Sequence, residues 1–142
     1  MKITKLIINN FRSFGPTNTE IGLEELSVLV GANSSGKTSA IQALLKLFSP
    51  YQRDRLIEKS DFHIPANENP LDYDKSSLSI EAVIDFNELE NDAEKASTAI
   101  PPHFNHMVAG EVDGSPYVRI RLEAELSEGN TLEGIIEQAV YY

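Results

Sequence analysis

Residues 26–41 read Leu26-Ser27-Val28-Leu29-Val30-Gly31-Ala32-Asn33-Ser34-Ser35-Gly36-Lys37-Thr38-Ser39-Ala40-Ile41, and their order decides the fold. Leu26 to Val30 is a nearly continuous apolar run of the length expected for a buried parallel strand. It runs directly into Gly31. From Lys37 the apolar period becomes helical, with Ile41, Leu44, Leu45 and Phe48 at i, i+3, i+4 and i+7 on one predicted face. Ser49-Pro50 ends that helix, because proline cannot continue it and disfavours helical geometry in the residue before it. Between strand and helix, residues 31–38 match G-x-x-x-x-G-K-[ST]. Two glycines let the backbone curl so that successive N–H groups point into one concavity at the positive end of the helix, a seat for α- and β-phosphates. Lys37 then reaches the β- and γ-phosphates, and the Thr38 hydroxyl is placed to ligate Mg²⁺. A Gly-Ser turn that merely caps a helix is the competing reading; eight matching positions in a strand–loop–helix context weigh against it.

Outward from this loop, Lys2 to Ile8 is rich in β-branched residues and predicts a first strand, closed by a turn at Asn9-Asn10. Thr19 to Leu23 reads as a short second strand. Residues 51–75, with Pro65, Pro70 and several Asn and Asp, read as loop or short irregular helix. Ser77 to Phe86 alternates, with Leu78, Ile80, Ala82, Ile84 and Phe86 on one face, and Tyr117 to Leu126 alternates with Val118, Ile120, Leu122, Ala124 and Leu126. Asn87 to Ala99 has helical spacing with Asn87 as N-cap, ended by Pro101-Pro102. Gly110 to Pro116 and residues 128–130 are turn-rich, and Thr131 to Tyr142 is a third antiparallel strand or the start of a helix. The chain thus divides into a phosphate-binding lobe at 1–59, an irregular connection at 60–76 and an antiparallel β-rich part with one helix at 77–142.

Composition narrows the function. With 142 residues, of which 41% are hydrophobic, the chain can bury a core, and its lack of cysteine excludes a disulfide scaffold, a zinc ribbon and a thiol nucleophile. No stretch approaches the ~20 apolar residues that span a bilayer, so no membrane partner and a cytoplasmic location are expected. The net charge of −10 is unevenly placed: residues 1–59 carry 8 Lys+Arg against 5 Asp+Glu, whereas residues 60–142 carry 4 against 17. Phosphate suits the first part. The acidity of the second argues against a broad nucleic-acid face there, since backbone binding to DNA depends on Lys and Arg displacing counterions.

A strand leading into Asn10-Phe11-Arg12-Ser13-Phe14, followed about twenty residues later by the glycine loop (Walker A) with Asn33 at its third position, resembles the start of an ABC-type ATPase head of the SMC and RecF branch. More narrowly, Ile8 to Phe14, Ser34-Ser35 within the loop and Asp61-Phe62 after the helix are similar to the overcoming-lysogenization-defect (OLD) family of ATP-dependent endonucleases. This resemblance covers roughly the first 65 residues. It implies an α/β P-loop NTPase fold, here an N-terminal lobe with an antiparallel β subdomain, using ATP and Mg²⁺ in DNA metabolism or defence. Residues Asn33, Ser34, Ser35, Gly36, Lys37, Thr38 and Ser39 would wrap the phosphates, Lys37 would act in catalysis, and Thr38 would hold the metal. Arg12 and Ser13 match a loop that lies near the nucleotide in such heads. Implied partners are DNA and a second head in a homodimer. Without the resemblance, Arg12 reads as a surface arginine between two anchoring phenylalanines.

An ABC-type head also needs an L-S-G-G-type signature and a Walker B strand ending in Asp-Glu. Neither is visible. Ala82-Val83-Ile84-Asp85 sits in an alternating strand and is followed by Phe86, and Ile135-Ile136-Glu137 is weaker still. A metal-dependent nuclease module has no counterpart. Together with the apolar ending Val140-Tyr141-Tyr142, this predicts the N-terminal piece of a longer protein, one that binds nucleotide without efficient turnover. Rival readings are an SMC/RecF-type DNA repair ATPase without nuclease activity, a transporter ATPase subunit, a small kinase, and an interaction module with a degenerate nucleotide site. The kinase reading lacks an Arg-rich lid, since residues 60–142 hold only Arg119 and Arg121. His103 and His106 read as a surface pair, the acids from Glu88 to Glu94 as a solvated helix face, and Arg53 and Arg55 as a charged turn.

Overall fold

The computed structural model describes residues 1–33, 35–69, 75–86, 107–112, 115–129 and 134–142. Its elements are strands β1 (Lys2–Asn9) and β2 (Thr19–Gly22), helices α1 (Lys37–Phe48) and α2 (Gln52–Arg55), a 3₁₀ turn (Lys59–Asp61), and strands β3 (Ser76–Asp85), β4 (Val108–Val112), β5 (Ser115–Ser127) and β6 (Ile135–Tyr141). All strand pairs are antiparallel. The order is β2-β1-β3-β5-β4, and β6 also pairs with β5, opposite residues 121–127. Strands from both ends of the chain therefore share one sheet.

Side-chain alternation explains which face is buried. Along β3, Leu78, Ile80, Ala82 and Ile84 face the core, and Val118, Leu122, Ala124 and Leu126 do the same along β5. On β1 the period of two would put Ile3 and Leu6 on opposite faces. A register shift between Ile3 and Lys5, where Ile3 opposes Ile84 and Lys5 opposes Val83, inserts Thr4 as an extra residue. Ile3, Leu6 and Ile8 can then all point to the core. On the face away from the core, Glu81 is buried beneath Arg119: Nη2 lies 2.6 Å from Oε1 and 2.8 Å from Oε2. Arg119→Ala is expected to lower stability by about 1–2 kcal/mol, less than for a fully buried pair because Arg119 is half exposed and Arg121 stands 3.8 Å away. A urea-midpoint shift checks this.

Helix α1 lies against the core face of the sheet through Ala40, Ala43, Leu44 and Leu47. Of the stripe the sequence pattern marks, Leu44 packs on the core, whereas Ile41 (53% exposed), Leu45 and Phe48 are turned outward. Alanines win the sheet-facing positions because they let the helix approach the sheet closely, whereas hydrophobic periodicity counts large side chains. A second difference concerns Leu26 to Val30, which forms no strand and leaves Leu26, Val28 and Val30 exposed. An apolar run becomes a strand only when a neighbour takes its backbone groups. Here β1 is flanked on both sides by β2 and β3, and no described strand lies beside residues 26–30. The turn-rich stretch Gly110 to Pro116 contributes the end of β4 and the start of β5, its backbone recruited to the edge of the sheet. Of the stretch Thr131 to Tyr142, which the sequence leaves as strand or helix start, Ile135–Tyr141 forms strand β6, and residues 131–133 lie outside the described residues. The expected helix at residues 87–99, with its acids, and His103 and His106 lie outside the described residues.

Candidate nucleotide-binding site

The glycine loop enters α1 through Gly36, whose φ of 91° is a left-handed conformation that favours glycine. Space makes a second demand. A Cβ at Gly36 would sit 3.1 Å from Cζ of Phe14 and 3.4 Å from Oγ of Ser13. At Gly31 a Cβ would meet Oγ of Ser35 at 2.7 Å. Both glycines thus stand where the chain closes tightly on itself.

Helix α1 has no side-chain cap and no acidic residue in its first turn. The N–H groups of Lys37, Thr38 and Ser39 therefore have neither an intrahelical acceptor nor a capping side chain, and they carry the positive end of the helix dipole. Around them lies a cavity of about 330 Å³ lined by Ser13, Asn33, Ser35, Gly36, Lys37, Thr38 and Ser39. Lys37 folds back over the loop, Nζ donating to the carbonyls of Gly31 (2.6 Å) and Ala32 (2.5 Å) and to Oγ of Ser35 (3.2 Å). Among the described residues lining the cavity, the one formal charge is thus a cation held by neutral acceptors. Such a site suits an anion, and the glycine cradle with its uncapped helix end fits a polyphosphate. The hydroxyl of Thr38 stands exposed on the same rim, as a metal bridging to phosphate requires.

Of the residues expected from sequence, seven come together here; Ser34 lies outside the described residues. Arg12 does not line the cavity. It has a positive φ of 51°, and its guanidinium is held by Asp61, with Nε and Nη2 each 2.8 Å from Oδ1. Its neighbour Ser13 does reach the loop, with Oγ 2.8 Å from Oγ of Ser39. The expectation for this turn thus divides between the two residues.

Asp61, which the sequence offers only as part of the Asp61-Phe62 resemblance, and Lys46 are not among the site residues expected from sequence. Asp61 is fully buried, and its Oδ2 accepts from Nζ of Lys46 at 2.8 Å and from the backbone N–H of Glu58 at 3.0 Å. Burial pushes the carboxyl pKa up, but hydrogen bonds from Lys46, Glu58 and Arg12, with the charge of Lys46, outweigh it and hold the pKa below the ordinary aspartate value. One signal was available: Lys46 lies three residues beyond Ala43 on the alanine stripe, a cation on the sheet-facing side of a helix. Asp85 is placed far from the loop. It opposes Lys2, whereas the glycine-loop end of β1 is Asn9, about 23 Å away at strand rise. That separation removes Asp85 as a metal partner for Thr38.

The fold is of α/β architecture built on an antiparallel sheet, with the glycine loop at the start of helix α1. Residues 1–126 match the AAA ATPase domain family (AAA_15), and the chain belongs to that family. Its fold is similar to a solved structure described as "Structural biochemistry of ATP-driven dimerization and DNA stimulated activation of SMC ATPases", at 16% identity and a TM-score of 0.53, over 99% of this chain and 69% of that one. No curated protein matches the chain. No helix among the described residues is long and apolar enough to cross a membrane.

Proposed function

We propose that the chain binds ATP with Mg²⁺ through Asn33 to Ser39 and Ser13, and that it is the nucleotide-binding lobe, residues 1–59 with the β-rich part 77–142, of a cytoplasmic ABC-type ATPase acting on DNA. One observation carries the reading: the residues of the G-x-x-x-x-G-K-[ST] loop enclose a cavity at an uncapped helix N-terminus, with Lys37 as its cation. In this reading Lys37 and the backbone N–H groups stabilise charge on the terminal phosphates. The narrower reading, an OLD-type ATP-dependent endonuclease working as a homodimer of heads, is supported by the residues at 8–14, 34–35 and 61–62. The structural neighbour's description, which names ATP-driven dimerization and DNA stimulation, accords with a DNA-linked dimer.

No carboxylate is present among the described residues lining the cavity. A group to activate water is therefore lacking there, and the chain by itself is expected to bind ATP with little or no turnover. Phosphate release, measured with and without duplex DNA alongside nucleotide binding, tests this. Binding without release is the expected result; steady turnover by the isolated chain would overturn it.

A further inference from the structure

We propose that Asp61 is a positioning residue of the nucleotide site: tied to Arg12 in the β1–β2 connection and to Lys46 on α1, its carboxylate holds the Phe11–Gly15 turn against the glycine loop, so that Ser13 completes the cavity. The inference rests on the ATP-binding reading above and deepens it.

Three observations converge on this role. The first is a turn that needs holding. Asn10 (φ 53°) and Arg12 (φ 51°) both occupy the left-handed region without being glycine. Asn10 is fixed from β3, its side chain donating to the hydroxyl of Ser76 and the carbonyl of Ser77. Arg12 is fixed from the 59–63 segment. Its N–H donates to the Asp61 carbonyl at 2.8 Å, its guanidinium pairs with the Asp61 carboxylate, and its carbonyl accepts from Nδ1 of His63 at 2.7 Å.

The second is what the turn touches. Phe11 is fully buried and bridges to Phe62, which anchors the turn's base. Its tip lies on the phosphate loop, with the Phe14 ring filling the space beside Gly36 and the Ser13 hydroxyl bonded to Ser39 in the first turn of α1. Any shift of the turn changes the cavity wall.

The third is the choice of a charged anchor. Buried ion pairs add little net stability over apolar packing, whereas their directional hydrogen bonds fix one arrangement. Asp61 uses both carboxylate oxygens and its own carbonyl to join the turn, the 58–61 segment and α1. A hydrophobic side chain would fill the volume without setting the angle at which Ser13 meets the loop.

The test compares the affinity of the whole chain for a non-hydrolysable ATP analogue with Mg²⁺ in wild type, Lys37→Ala, Asp61→Asn and Arg12→Gln, at a temperature where each variant is fully folded. Stability lost without repositioning leaves such a dissociation constant unchanged. Positioning predicts about tenfold weaker binding in both Asp61→Asn and Arg12→Gln, with faster amide exchange at residues 11–14. If Arg12 instead contacts nucleotide directly, Asp61→Asn frees it and binding tightens, which overturns the proposal. Equal affinity in Asp61→Asn and wild type overturns it too. Should Asp61→Asn fail to fold with Lys46 left unpaired, Asp61→Asn with Lys46→Met removes the buried cation as well, and the same tenfold loss is expected. Absence of binding in folded wild type would defeat the ATP-binding reading, and this proposal with it; wild-type binding that Asp61→Asn leaves unchanged would defeat the positioning role alone.

Discussion

Asp61→Ala is expected to lower the unfolding free energy by about 3–5 kcal/mol, because it leaves a buried cation without its counter-ion. Asp61 has no exposed surface and the Lys46 side chain is only 9% exposed, so Lys46 has little water to fall back on. Its bond to the Leu56 carbonyl remains, but a neutral acceptor does not compensate the charge. Arg12, about one-third exposed, can turn to solvent and contributes less to the loss. Equilibrium denaturation by urea reads the difference directly.

The same carboxylate sets a pH dependence. Its folded-state pKa lies below the ordinary aspartate value of about 3.9. For a depressed carboxylate the stabilisation is fully present above the unfolded-state pKa and is lost as pH falls through the folded-state value. The thermal midpoint should therefore carry an Asp61-dependent fall below about pH 4, which Asp61→Asn removes. A midpoint whose acid limb is identical in that variant would contradict the network.

Gly36→Ala is the second large effect. The left-handed backbone at φ 91° penalises any Cβ, and the added methyl meets the Phe14 ring at 3.1 Å. Together these are expected to cost about 2 kcal/mol and to push the Phe11–Gly15 turn off the loop, abolishing nucleotide binding. Gly22 is the control within the same chain, since nothing lies within 4 Å of a Cβ there. Gly22→Ala should leave binding intact.

These expectations show where sequence reading succeeds. The phosphate loop is legible because its chemistry is local: glycines, lysine and hydroxyl lie within eight residues, and the backbone they dictate needs no distant partner. Strands β3 and β5 are legible because alternation reports a sheet with one buried face, and β1 because it is rich in β-branched residues. The face of α1 is not, since Ala40 and Ala43 serve close approach to the sheet and carry little hydrophobic signal. Leu26 to Val30 has the composition of a buried strand but lies exposed, because pairing depends on a neighbour the segment itself cannot specify. The Arg12–Asp61–Lys46 network is hidden for a related reason: 49 residues separate Arg12 from Asp61, and nothing local in the sequence pairs the two.

The central claim is that the loop around Lys37 seats the phosphates of ATP, and calorimetric titration of the folded chain with a non-hydrolysable ATP analogue and Mg²⁺, beside Lys37→Ala, tests it most directly. Among the described residues, Lys37 bonds to acceptors of its own exposed loop, so its removal should change stability by less than about 0.5 kcal/mol. The account predicts saturable binding at one site per chain in wild type and its loss in Lys37→Ala. No heat of binding from the folded wild-type chain, or equal affinity in the variant, would contradict it.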